Sequence, residues 1–143
     1  MTFKKTGVLL AFMLVLIPAT SNADEVGVIQ AGIKKCYGAR GINNALIWEC
    51  HDKASKQFVS LIESRVTKIE SLLPQVKSSH PWVSIPISEV KRFKALREEA
   101  IELGCKIFGQ DLEPGVPMCL SAGYGELAKT MGLLESKYKD LAK

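Results

Sequence analysis

Apolar residues recur every three or four positions over most of the chain, and no stretch alternates with period two, so the pattern predicts helices and no sheet. The longest predicted helix runs from Asn44 to Leu73. Ile47, Cys50, Ala54, Phe58, Leu61, Ile62, Val66, Ile69 and Leu73 mark its inner face, and Lys53, Lys56, Glu63, Lys68 and Glu70 its outer one. Asn43 or Asn44 supplies the N-cap oxygen, and Pro74 ends the helix because proline disfavours helix in the residue before it. Residues 74–87 carry three prolines and read as a loop. Ser88 then caps a helix from Glu89 to Phe108, whose inner face is expected to be Val90, Phe93, Leu96, Ala100, Leu103 and Ile107, with Gly109 as its stop. After a loop over 109–117, the last helix extends from Pro117 to Ala142. Its seam, Leu120, Tyr124, Leu127, Met131, Leu134, Tyr138 and Leu141, steps four and three in alternation, as coiled-coil seams do. Gly123, Gly125 and Gly132 weaken this helix by about 1 kcal/mol each relative to Ala, a cost that fits close helix approach or a local kink. Val26, Ile29, Ile33 and Cys36 predict a short N-terminal helix, followed by a turn at Tyr37–Gly41. The expectation is an all-α fold, a small bundle of three long helices plus a short N-terminal one.

The first 23 residues read differently. Lys4 and Lys5 precede the apolar run Gly7–Ile17, which is shorter than the roughly 20 residues that span a bilayer. Pro18 breaks the run, and Ser21-Asn22-Ala23 offers small residues at the two positions a signal peptidase reads. Residues 1–23 are therefore expected to be a signal peptide and 24–143 a single helical domain, periplasmic or secreted. No Cys lies near this junction, which argues against a lipoprotein.

Export changes how composition and charge are read. The chain has 143 residues, 19 Lys plus Arg and 15 Asp plus Glu. Loss of the leader removes two of the basic residues and none of the acidic ones, so the domain is close to neutral and shows no basic stripe for nucleic acid. Four cysteines remain, Cys36, Cys50, Cys105 and Cys119, and an even count in an exported chain points to two disulfides. Three pairings are open. In an up-down-up bundle all four cysteines fall at one end, which favours Cys36–Cys50 with Cys105–Cys119; the alternative is Cys50–Cys105 with Cys36–Cys119. No CxxC knuckle suggests a metal and no CxxCH suggests haem, so neither a metal nor another cofactor is expected.

Catalytic signatures are missing from the sequence: it contains no GxSxG, HExxH, P-loop or GxGxxG. His51 is expected on a solvated helix surface, since its neighbours Glu49 and Asp52 point in other directions. Glu98 and Glu102 lie one turn apart and are read as a solvated face. The chain is thus expected not to be an enzyme but to bind a protein partner. Trp82, between prolines in the first loop, is one candidate contact, unless it folds back onto the core. Asp111 and Glu113 make the second loop acidic, suited to steering a basic partner.

Several of these features resemble the LprI-like family, small exported helical domains named for a lysozyme inhibitor. The likeness is carried by Cys36 and Cys50, fourteen residues apart at the start of a long helix; by the run Lys91–Ala100 with Phe93, Arg97 and Glu98; by Cys105, a glycine-containing loop and Met118-Cys119-Leu120; and by a closing amphipathic helix with Leu134-Glu135. It spans about residues 36–138. The resemblance implies inhibition of a lysozyme or other cell-wall hydrolase by a loop that occludes its cleft. A second reading is a structural or stress-related envelope protein that binds a helical partner through an exposed apolar seam.

Overall fold

The computed structural model describes residues 22–38, 43–83, 86–109 and 115–143. Four helices account for nearly all of them: α1 (Asn22–Gly38), α2 (Asn44–Ser79), α3 (Ile87–Phe108) and α4 (Gly115–Leu141). There is no strand among the described residues. The all-α bundle read from the periodicity is the fold observed.

Helices α2 and α4 form the central pair, α1 packs against both, and α3 rests mainly on α4. Helices α1 and α3 do not touch, so they flank the central pair separately. The core lies along the α2–α4 contact. Phe58, Ile62, Val66 and Ile69 of α2 meet Leu127, Ala128, Met131 and Tyr138 of α4, with Val26 of α1 closing one side. Each such side chain contributes about 1.5–3 kcal/mol on full burial, so this seam carries most of the fold's stability.

Two disulfides close the end of the bundle where α1 and α3 finish and α2 and α4 begin. Cys36 joins Cys50 and Cys105 joins Cys119, each across 14 residues. Of the pairings open in the sequence, the structure has the local one. Each link removes about 3 kcal/mol of unfolded-chain freedom in the loop-entropy model.

The boundaries differ from expectation where tertiary packing overrides local preference. Helix α2 does not end at Pro74 but continues to Ser79, with Pro74 inside it. An interior proline costs about 3 kcal/mol, because its missing N–H leaves the Glu70 carbonyl unpaired. Burial of Val76 one half-turn later, with Leu72 and Leu73 packed on the core, offsets that cost. The loop is correspondingly shorter, and α3 starts at Ile87. Pro86 occupies its N-cap position without a side-chain hydrogen bond, so Ser88 is not the cap. At the other end of α2, Asn43 caps as read: its Oδ1 accepts from the Leu46 N–H at 2.8 Å. Helix α4 begins at Gly115 rather than Pro117, which places Pro117 in the first turn as its missing N–H allows.

The glycines of α4 serve close approach. A Cβ on Gly123 would lie 2.6 Å from Ile101 Cγ2 of α3, and one on Gly132 would lie 2.6 Å from Arg65 Nη1 of α2. Helix α4 gives up helix propensity at these points and gains intimate contact with both neighbours.

Candidate functional site

Helix α3 has two faces, and the structure buries the one that periodicity did not select. Val90 and Cys105 are its buried residues, with Ile87 and Ile101 packed against the core. Between them the inner face is ionic. Lys94, with a side chain only 16% exposed, bridges Glu63 of α2 at 2.5 Å and Glu98 of its own helix at 2.9 Å. These carboxylates hold the Lys94 ammonium above the usual lysine range even though burial opposes it. Glu102 accepts a hydrogen bond from the Tyr124 hydroxyl at 2.8 Å. Burial and the Glu102 carboxylate together push the Tyr124 phenol well above its ordinary range.

The expected inner face of α3 is therefore wrong beyond Val90. Phe93 is 40% exposed, Leu96 and Leu103 56%, and Ile107 57%, and Ala100 between them is exposed too. Phe108, at the end of the helix, is 80% exposed. The physical reason is angular. Successive helical residues are about 100° apart, so Cys105 lies about 160° around the helix from the centre of this stripe. A disulfide to Cys119 must turn Cys105 toward α4, and the stripe then points outward.

The stripe borders a groove between α3 and α4 of about 440 Å3, lined by Ala100, Gly104, Cys105, Phe108, Ala122 and Gly123 among others. Both cysteines of the Cys105–Cys119 disulfide line it, with small residues on each helix and Ile101 and Phe108 beside them. Arg92 and Lys106 flank the stripe on one side with Glu99 between them, and Arg97 flanks the other. None of the four has an ion-pair partner among the described residues. An apolar helix face with charged borders is a surface suited to another amphipathic helix.

The contact residues expected in the loops fare differently. Trp82 does not cap the core; it is 77% exposed at the tip joining α2 to α3, edge-on to the His80 ring at 5.3 Å. This tip lies at the opposite end of the bundle from the disulfides. Asp111 and Glu113 lie outside the described residues, as do residues 1–21 of the expected signal peptide, while Asn22 and Ala23 fall in α1.

His51 also departs from expectation. It is buried, not solvated, at the junction of α1, α2 and α4. Ser121 Oγ donates to the Met118 carbonyl at 3.0 Å, so its oxygen accepts from His51 Nδ1–H at 2.5 Å, and Nε2 accepts from the Tyr37 hydroxyl. Desolvation lowers the His51 pKa and raises that of Tyr37, so both stay neutral. This chain of hydroxyls and imidazole ties three helices together. Among the described residues it shares no hydrogen bond with Glu102 or Glu98, so His51 and these carboxylates do not form one centre.

A second buried polar cluster was missed in the sequence. Arg65 of α2 is fully buried, donates to the Ala128 carbonyl, and pairs with Glu25 of α1 at 3.1 Å and with buried Glu135 of α4 at 3.9 Å. Lys139 adds a contact to Glu135 at 2.6 Å. A signal was present: Arg65 sits on the Phe58–Ile62–Ile69 seam and Glu135 on the Ala128–Tyr138 seam, two opposite charges on facing stripes. His51 likewise falls seven residues before Phe58, on the inner stripe of α2.

Among the described residues no three His, Cys, Asp or Glu side chains are grouped to hold a metal ion, and no helix is long and apolar enough to cross a membrane. Comparison with protein-family models, curated proteins and solved structures finds no match to this chain.

Proposed function

We propose that the chain is an exported binding protein that works by docking a helix on the outer face of α3. The observation that carries this reading is the stripe Phe93, Leu96, Ala100, Leu103 and Ile107, left exposed by a helix that packs through Val90, Ile101 and Cys105 on its other side. Stranding four large apolar side chains in water forgoes several kcal/mol of burial that a partner recovers. The two disulfides suit an oxidising compartment, and the Cys105–Cys119 link fixes α3 on α4 before any partner arrives, which lowers the ordering cost of binding. The experiment is photo-crosslinking in the exporting cell, with a benzophenone side chain placed at Leu103 and, as control, at the exposed Ser64 of α2. A discrete protein adduct from position 103 alone is expected. No adduct, or the same adduct from both positions, would overturn the reading.

A second reading follows the LprI-like resemblance and rests on Trp82, an exposed aromatic on a loop tip far from the α3 groove. Here the tip enters the cleft of a lysozyme or another cell-wall hydrolase. Dose-dependent loss of lysis in a cell-wall suspension, abolished by Trp82→Ala, is the expected result. Unimpaired lysis at large molar excess sinks this reading for the enzyme tested.

A further inference from the structure

The α3 stripe repeats at steps of three, four, three and four (93, 96, 100, 103, 107), which places it on the a and d positions of a heptad seam. The flanking g positions are then Arg92, Glu99 and Lys106, and the charged e position is Arg97. Flanking charges decide which helix is accepted and in which direction. We propose, resting on the helix-docking reading above, that the occupant is α3 of a second copy of this chain, packed antiparallel about a two-fold axis between Ala100 and Leu103.

Charge and apolar contact together select this arrangement: an antiparallel pair centred between Phe93 and Leu96 also sets Arg92 against Glu99, but it leaves Leu103 and Ile107 uncovered. A parallel pair sets Arg92 against Arg97 of the other copy, twice. An antiparallel pair centred between Leu96 and Ala100 sets Arg92 against Lys106 twice, and Glu99 and Arg97 each against its own equivalent. Moving the centre by half a heptad, to between Ala100 and Leu103, brings Glu99 opposite Lys106 of the second copy, twice, and leaves Arg97 opposite uncharged Gly104. In that register Leu96 is level with Ile107, and Ala100 with Leu103. The two-fold axis makes the interface isologous, so one surface serves both partners.

The shape agrees with the charge. Beside Leu103 at the axis stand two small residues, Ala100 and Gly104, and a Cβ built on Gly104 meets nothing within 4 Å. The groove they share with Ala122 and Gly123 is open on the same side and can receive the flank of the incoming helix. A single helix pair is a small interface, so micromolar dissociation is expected.

Sedimentation velocity of the oxidised, exported protein from about 1 to about 500 µM spans that affinity range. A reversible monomer–dimer equilibrium is expected. Leu103→Glu, with unchanged helical circular dichroism, is expected to weaken it at least about ten-fold by placing two unpaired charges in the seam. Glu99→Lys and Lys106→Glu are each expected to weaken it about five-fold, and the double variant to restore it, because the pair is swapped rather than lost. Failure of the double variant to recover, or monomer at every concentration, overturns the dimer. The crosslink at position 103 separates this failure from failure of the docking reading. An adduct of twice the chain mass supports the dimer; an adduct with a different protein overturns the dimer and keeps the docking reading; no adduct overturns both.

Discussion

Helices α3 and α4 carry the same kind of apolar seam, and the structure buries one and exposes the other. On α4 the seam is the core: Leu127 and Met131 are fully buried, Tyr124 and Tyr138 nearly so. On α3 the seam faces water, and the helix is held instead by Val90, Ile101, the Lys94 bridge and the Cys105 disulfide. Periodicity shows that a helix has an apolar face but not what that face meets. The disulfide settles it: Cys119 lies about a quarter-turn from the α4 seam, whereas Cys105 lies nearly opposite the α3 seam.

The sharpest way to break this comparison is to truncate one leucine from each seam. Leu127→Ala is expected to cost about 2–5 kcal/mol in urea denaturation, the range for a fully buried leucine. Leu103→Ala is expected to stay within about 0.5 kcal/mol of the parent in dilute monomer. Comparable losses at both positions would mean that the α3 seam is part of the core. Next in size is the double replacement Cys105→Ser with Cys119→Ser, for which a loss of about 3 kcal/mol is expected. Since this link sets which side of α3 faces inward, enhanced hydrogen exchange should concentrate in α3 and spare the α2–α4 pair.

Two glycines sharpen the contrast further. Gly132→Ala on α4 pushes a methyl into buried Arg65 and is expected to destabilise by about 1–3 kcal/mol. Gly104→Ala on α3 meets open space and is expected to stabilise by up to about 1 kcal/mol through helix propensity. A loss at Gly104 would show that the groove is already filled in the monomer.

The smallest effect is on acid stability. The folded-state pKa of His51 lies below its ordinary value because burial disfavours the imidazolium. The unfolded chain therefore takes up this proton first as the pH falls. Stability is expected to decline from about pH 6.5 downward and to level off below the folded pKa. His51→Asn is expected to flatten this decline between pH 7.5 and 5.5, read by denaturation midpoints. An unchanged slope would place the titration elsewhere.

Much of the fold was legible because long helices with regular seams repeat the same signal many times. Helix α2 shows it nine times between Ile47 and Leu73, and α4 seven times from Leu120 to Leu141. Local chemistry also read correctly where nothing competed with it, as at the Asn43 cap and the Gly109 stop. It failed where packing competed. Pro74 is tolerated because Val76 is buried beyond it, which no local rule anticipates. The polar core was illegible for a different reason: His51, Arg65 and Glu135 are residue types expected outside, and their positions on the inner stripes are the one clue to their burial. Of the candidate site, Trp82 was legible as a loop aromatic between prolines, but the sequence left open whether it is exposed or folded onto the core. The α3 stripe is legible as an apolar pattern but not as a surface, because what it faces depends on the direction in which the disulfide turns Cys105.

Exposure of the α3 seam is the central claim, and hydroxyl-radical footprinting of the dilute monomer, read by mass spectrometry, tests it most directly. The prediction is heavy modification of Phe93, Leu103 and Phe108 with protection of Phe58, Met131 and Tyr138. The modification at Leu103 should fade as concentration rises into the dimer range. Protection of Phe93 and Leu103 equal to that of Phe58 in the monomer would contradict the account.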